Sequence, residues 1–81
     1  MKGFLLDDLR YHLTNKGENY FRMFGQRPLR GGDTIVGYLY GEPRTLQEII
    51  RFFGGVWDSR EVGDLLSGLV EDGLVDFEVI E

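Results

Sequence analysis

The sequence predicts one small α+β domain spanning residues 1–81. Two segments of the second half, 45–53 and 58–72, place apolar residues at helical spacing behind capping residues. A third segment, 75–79, alternates apolar and acidic residues, as a strand with one wet face does. Hydrophobic residues make up 42% of the chain, but a domain near this length buries only about 60% of its unfolded surface. We therefore expect a domain that is either marginally stable or supported by self-association, as a homodimer.

Composition narrows the function classes. The chain has no cysteine, which excludes disulfides and thiolate metal sites and favours a reducing compartment. No apolar run approaches the roughly 18 residues that a membrane span needs. The apolar start, 1–6, is interrupted by Asp7 and Asp8, and a signal peptide needs a longer apolar stretch. These features predict a cytoplasmic protein that does not enter a membrane and carries no cofactor.

Charge is unevenly distributed along the chain. The net charge is −5, with six basic and four acidic residues in 1–40 but three basic and ten acidic residues in 41–81. An acidic protein does not bind nucleic acid indiscriminately, whereas an uneven distribution can orient a charged partner.

The segment 45–53 has the clearest helical signal. Thr45 and Glu48 have the spacing of a capping box, in which each side chain satisfies a free amide of the other residue. The apolar stripe consists of Leu46, Ile49, Ile50 and Phe53. Gly54 is expected to end the helix in the left-handed conformation.

A second capped helix is expected after the turn that contains Trp57. Asp58 and Glu61 repeat the capping spacing, and Gly73 is the expected stop. Its apolar stripe consists of Val62, Leu65, Leu66, Leu69 and Val70. Trp57 either closes this helix pair against the core or serves as an exposed anchor in a protein interface.

The sequence of the first half predicts its secondary structure less clearly. Residues 9–13 alternate and predict a strand, whereas residues 34–40 predict a short helix capped by Asp33, although their β-branched and aromatic content also suits a strand. Residues 15–24 allow two structures. They form either the second strand of a hairpin turned at Gly17, or a helix capped by Asn15 with Glu18, which we slightly favour.

The helices and the stretch EDGLVDFEVIE that follows them resemble the winged helix-turn-helix family over residues 33–80. Residues 45–50 match its second helix, and residues 62–75 match its third helix and the strand after it. The family's L-x-x-L-x-x-x-G-L-V stretch is matched by Leu66, Leu69, Gly73, Leu74 and Val75. The resemblance implies a three-helix unit with a small antiparallel sheet, and a DNA-binding transcriptional regulator.

The return strand of the wing departs from the family's order. Residues 11–17 are similar to the Y-x-L-T-x-K-G that follows a wing in many such proteins, but here they come first in the chain. The arrangement resembles a circularly permuted winged helix, or one completed across a dimer. In both arrangements the small sheet is formed by the N-terminal and C-terminal strands.

The candidate DNA contacts are mainly arginines. Three lie in or beside a glycine-bearing loop without an acidic neighbour, one precedes the second helix where winged helices touch phosphate, and the rest lie on the third helix. They are Arg22, Arg27, Arg30, Arg44, Ser59, Arg60 and Ser67. The third helix, however, also exposes Glu61, Asp64 and Glu71, and carboxylates near a duplex repel its phosphates.

This acidic face leaves a second function open. In it, the winged helix is a protein-interaction module without DNA affinity, which presents the third helix or Trp57 to a partner. Catalysis is not expected, because the sequence offers no set of nucleophile, base and oxyanion-stabilising group. His12 is the only histidine, and one histidine without cysteine does not build a zinc site unless carboxylates supply most ligands.

Overall fold

The structure is a computed structural model that describes residues 9–25 and 28–80. Within these residues, four helices accompany a three-stranded antiparallel sheet, which confirms the α+β class. The elements are β1 (Leu9–Leu13), α1 (Asn15–Phe24), α2 (Gly32–Leu39), β2 (Arg44–Thr45), α3 (Leu46–Phe52), α4 (Ser59–Glu71) and β3 (Val75–Val79). None of these helices is both long and apolar enough to cross a bilayer.

The sheet has the order β2-β1-β3, with β1 antiparallel to both neighbours. All five residues of β1 pair with β3, from Leu9 opposite Val79 to Leu13 opposite Val75. The predicted pairing of the N-terminal and C-terminal strands is therefore confirmed, and both strands belong to the same chain. The two-residue strand β2 was not predicted, because so short a strand has no periodicity to detect.

Residues 15–24 form a helix, so the favoured structure for this segment is confirmed, but its expected cap is wrong. Thr14, and not Asn15, caps α1, with its Oγ1 accepting the Gly17 N–H at 3.0 Å. Thr14 also donates its backbone N–H to the Leu74 carbonyl at 3.0 Å. The ladder with β3 holds Thr14 in the extended conformation that an N-cap requires, which places the helix start one residue earlier.

The predicted helix in 34–40 is confirmed in type, but its start and end differ. Helix α2 begins at Gly32 after a cap at Gly31, whose φ of 53° suits glycine. Asp33 therefore lies inside the first turn and is not the cap. Its carboxylate instead accepts a hydrogen bond from the Tyr20 hydroxyl at 2.9 Å, which joins α1 to α2. Tyr40 lies beyond the helix in an extended conformation.

Both capping boxes are present. At α3, the Thr45 N–H donates to Glu48 Oε1 at 2.9 Å and the Glu48 N–H donates to Thr45 Oγ1 at 3.1 Å. Asp58 and Glu61 exchange the same two bonds at the start of α4, at 3.0 and 2.8 Å. Each box satisfies two backbone amides that would otherwise lack partners.

The expected stops differ between these two helices. Gly73 has a φ of 79°, so it ends α4 in the left-handed conformation as predicted. The prediction for Gly54 is wrong, because its φ is not positive. Helix α3 ends at Phe52, and the Phe53 carbonyl then accepts the N–H groups of Val56 and Trp57, both at 2.9 Å. A run of turns therefore leads from α3 to α4 without a left-handed residue.

The core lies between the sheet and the helices. Helix α2 contributes most completely, since Ile35 and Val36 are fully buried. The predicted stripes of α3 and α4 face the same core, with Ile49, Val62 and Leu66 at its centre. Burying one such side chain contributes about 1.5–3 kcal/mol. This core fixes α4 against the sheet.

Gly17 and Gly68 form a matched pair of helical glycines for testing this packing. A Cβ at Gly17 would collide with the Leu74 carbonyl oxygen, whereas a Cβ at Gly68 would meet no atom within 4 Å. We expect Gly17→Ala to destabilise the fold by at least about 2 kcal/mol through overpacking. Gly68→Ala should stabilise it by about 0.5–1 kcal/mol, because alanine favours the helix. Urea unfolding measures both changes, and equal effects would contradict the close approach of α1 to Leu74.

Candidate functional site

Helix α4 exposes an acidic surface. Its exposed charged side chains are Arg60, Glu61, Asp64 and Glu71, in agreement with the predicted outer face. Glu61 is engaged in the capping box. The ion pairs among the described residues are Arg10–Glu78, Arg22–Glu18 and Arg44–Glu42, and none of them includes Asp64 or Glu71. Two carboxylates of α4 therefore face solvent without a basic partner in the described part of the chain.

One side of α4 borders a groove shared with α3 and β1. This depression has a volume of about 350 Å³. Tyr11, Leu46 and Ile50 supply its apolar part, and Gly63 and four polar side chains supply the rest. These polar residues are Ser59, Arg60, Asp64 and Ser67. The structure thus brings three of the predicted site residues together at one place.

A second depression continues the first towards β3. It has a volume of about 240 Å³ and shares Tyr11 and Ser67 with its neighbour. Its other lining residues are Leu66, Val70, Glu71 and Phe77. Because the two depressions share these residues, they form one continuous surface along α4, which we call the α4 groove.

Tyr11 lies where the two halves of the α4 groove meet. Its ring centroid is 5.7 Å from that of Phe77, its partner across the strands. Burial raises the pKa of the Tyr11 phenol, because the charged form loses hydration. The sequence pattern does not identify these two aromatic residues as site residues, since only the strand register shows that they meet beside α4.

The predicted arginine contacts are dispersed. Arg22 lies on α1 and donates to Asn19 Oδ1 at 2.8 Å, and Arg30 is exposed just before α2. The Arg44 guanidinium lies 4.6 Å from the centre of the Tyr38 ring and 4.0 Å from Glu42. Its Nε is buried and has no hydrogen-bond partner within residues 9–25 and 28–80. Arg60 is the arginine that lines the α4 groove, and the prediction for Arg27 falls outside the described residues.

An aromatic cluster lies on the turn between α3 and α4. The rings of Tyr38 and Phe52 are stacked with their centroids 4.1 Å apart. The ring centroids of Phe53 and Trp57 are 5.0 Å apart. Phe52 is 61% exposed, whereas Trp57 is half-buried and packs against the core. Trp57 also lines a shallow depression with Glu61, Asp64 and Leu65. It therefore closes the helix pair and still reaches the acidic surface of α4.

No protein-family model matches this chain, and neither does any curated protein or solved structure. The winged-helix resemblance therefore stays a prediction, and the chemistry of the α4 groove is the basis for a function. Within residues 9–25 and 28–80, no group of three or more metal-ligating side chains is placed to hold a metal ion. The groove offers an apolar floor, the hydroxyls of two serines and Tyr11, one arginine, and two carboxylates without an ion-pair partner among the described residues.

Burial of Tyr11 predicts a measurable pH dependence. Because its pKa is raised in the folded state, the unfolded chain loses the phenol proton first, above about pH 10. The free energy of unfolding should therefore fall as the pH rises above about 10, and fall less in Tyr11→Phe. Urea unfolding at pH 8 and pH 11 measures the difference. Tyr40→Phe, which removes the hydroxyl of an exposed tyrosine, is the comparison variant. The same fall in wild type and Tyr11→Phe would contradict the prediction.

Proposed function

We propose that this protein is a winged-helix-type interaction module that binds a basic and apolar segment of a partner protein in the α4 groove. The observation that carries the proposal is the pair of free carboxylates, Asp64 and Glu71, beside an apolar floor. We place the interaction in the cytoplasm, because a chain without cysteine suits a reducing compartment.

The spacing of these carboxylates suits a basic segment. Asp64 and Glu71 are seven residues apart, which corresponds to about two turns and roughly 10 Å along the helix. Asp64 lines the half of the groove next to α3, and Glu71 lines the half next to β3. A segment lying along the groove can therefore meet one carboxylate in each half while its apolar side chains cover the floor.

The apolar floor supplies the second part of the recognition. Ile50 and Val70 are only partly buried, and Phe77 is 44% exposed. Covering apolar surface of this kind contributes about 25 cal/mol per Å² removed from water. Interfaces commonly combine an apolar centre with a polar rim, and the α4 groove has both.

The arrangement of elements supports the winged-helix interpretation. Helices α2, α3 and α4 are followed by β3, and β1 runs antiparallel beside it. The strand that the resemblance requires after the wing is thus supplied from the start of the chain. A winged helix with an acidic third helix is better suited to a basic protein than to DNA, since phosphates are repelled by carboxylates.

DNA binding is a second candidate function, favoured by one specific observation. Ser59, Arg60 and Ser67 line the same half of the α4 groove, so three polar groups of the expected recognition helix border one depression. In this function, duplex phosphates are contacted by the wider set of residues, which is Arg22, Arg27, Arg30, Arg44, Ser59, Arg60 and Ser67. Such a protein would act as a transcriptional regulator.

Charge reversal in the groove separates the two functions. We expect Asp64→Lys and Glu71→Lys each to weaken binding of a labelled lysine–leucine amphipathic peptide about tenfold at low salt, because each places like charges together. Fluorescence anisotropy measures the affinity. Glu42→Lys makes the same charge change at an exposed residue away from the groove and should leave binding unchanged. Glu61 is left intact, since its carboxylate holds the Asp58 N–H at 3.0 Å.

Duplex DNA gives the opposite result if the second candidate is right. Asp64→Lys and Glu71→Lys would then strengthen retardation of a short duplex in a native gel, because they remove repulsion from phosphates. Arg60→Ala would weaken it and lower the salt slope by about one. Wild-type binding to DNA but not to the basic peptide would overturn the protein-interaction proposal.

A further inference from the structure

Strand β3 lies at one edge of the sheet, and its outer side has no partner strand among the described residues. The Thr14 N–H bonds to the Leu74 carbonyl, so this pair is a hydrogen-bonded pair of the antiparallel ladder. Hydrogen-bonded and non-hydrogen-bonded pairs alternate along such a ladder. The backbone groups of Val75, Phe77 and Val79 therefore point away from β1, towards the free edge.

The Phe77 amide is consistent with this assignment. It donates to the Oδ1 of the preceding residue, Asp76, at 2.8 Å, and not to β1. The carboxylate of Asp76 thus occupies a backbone donor that an added strand would otherwise engage. Occupying an edge amide with a charged side chain is one way in which a protein protects an exposed strand.

The side chains of β3 divide into two kinds. Phe77 and Val79 are 44% and 55% exposed, and they lie on the face of the sheet that borders the α4 groove. Asp76 and Glu78 are exposed on the other face. Glu78 is bound by Arg10, with contacts of 2.9 and 2.6 Å, whereas Asp76 has no ion-pair partner among the described residues. The edge is therefore alternately apolar and acidic.

A second copy of this chain is a poor occupant for the edge. In one antiparallel register, all five residues of β3 pair with the β3 of a second copy, and the two Phe77 residues lie opposite each other. Asp76 of each copy then lies opposite Glu78 of the other copy. Like charges directly opposite each other destabilise a strand pair. Charge complementarity instead calls for basic side chains at these two positions.

We propose that the free edge of β3 binds an extended segment of a partner protein in which basic and apolar residues alternate, which rests on the protein-interaction function proposed above. The apolar residues of the segment lie opposite Val75, Phe77 and Val79, and its basic residues lie opposite Asp76 and Glu78. A carbonyl of the added strand takes over the Phe77 N–H. This exchange frees the Asp76 carboxylate to pair with a basic side chain.

The α4 groove extends this site. Phe77 lines the groove beside Val70 and Glu71, so apolar side chains of an added strand would continue its floor. Backbone hydrogen bonds supply affinity in this mode of recognition, and the alternating side chains supply specificity.

The test uses a short capped peptide of alternating valine and lysine and two methylated forms of it. In the proposed register, the valine amides face β3 and the lysine amides face solvent. We expect N-methylation of the valines to weaken binding more than tenfold, because the ladder is lost. N-methylation of the lysines should change binding less than threefold, with charge and composition unchanged. Fluorescence anisotropy gives the affinities, and amide shifts at Phe77 and Val79 locate the site.

Variants of Asp76 provide a reciprocal test. We expect Asp76→Asn to weaken binding of the unmethylated peptide about two- to fivefold, the range of one cross-strand charge pair. Asp76→Lys should abolish binding and place opposite charges across a pair of β3 strands, so sedimentation should show more dimer for this variant than for wild type. Glu42→Lys is the control for charge, and circular dichroism confirms that each variant is folded.

The outcomes separate this inference from the proposed function. Equal binding of all three valine–lysine peptides would overturn strand addition, since attraction by charge alone would explain it. Binding of the lysine–leucine peptide but not of the valine–lysine peptide would overturn strand addition and leave the proposed function standing. Binding of neither peptide would overturn both. A wild-type dimer that is abolished by Val79→Pro would show that a second copy occupies the edge.

Discussion

The pairing of β1 with β3 joins the two ends of the described chain, and the positions of the neighbouring elements follow from it. Thr14 continues the ladder, because its backbone N–H donates to the Leu74 carbonyl. Its hydroxyl donates to the Gly73 carbonyl at 2.6 Å, and its Oγ1 accepts the Gly17 N–H as the cap of α1. One residue therefore joins the sheet, the end of α4 and the start of α1. Gly17 completes this junction, because only a residue without a side chain can approach Leu74 so closely.

The pairing of β1 with β3 also forms one side of the candidate site. It places Tyr11 against Phe77 at the edge of α4, where neither residue would be without the five-residue register. Leu13 and Val75 are buried at one end of this strand pair, whereas Phe77 at its centre is 44% exposed.

Sequence patterns predicted the elements that are determined locally. Helices α3 and α4 each combine a capping box with an apolar stripe, and both signals lie within one segment. Both errors in the expected N-caps occurred where a distant residue decides the structure: Thr14 is held extended by β3, and the Asp33 carboxylate is taken by Tyr20. The error at Gly54 is local, since turns at Phe53 end α3 instead. The residues of the candidate site also fall into a locally predictable group and a group that depends on distant pairing. Ser59, Arg60 and Ser67 could be named from the face of one helix, but Tyr11 and Phe77 required the strand register.

The acidic residues of the second half also divide by role, and this division favours a binding function for α4. Glu48, Asp58 and Glu61 cap helices, while Glu42 and Glu78 pair with arginines. The Lys16 amine lies beside Asp72, bonded to its backbone carbonyl at 2.9 Å. Asp64 and Glu71 have no such role among the described residues, and unpaired like charges add self-repulsion to a fold with a small core. Arrangements that lower stability in this way concentrate at functional sites. Asp64 lies in one half of the α4 groove and Glu71 lies in the other.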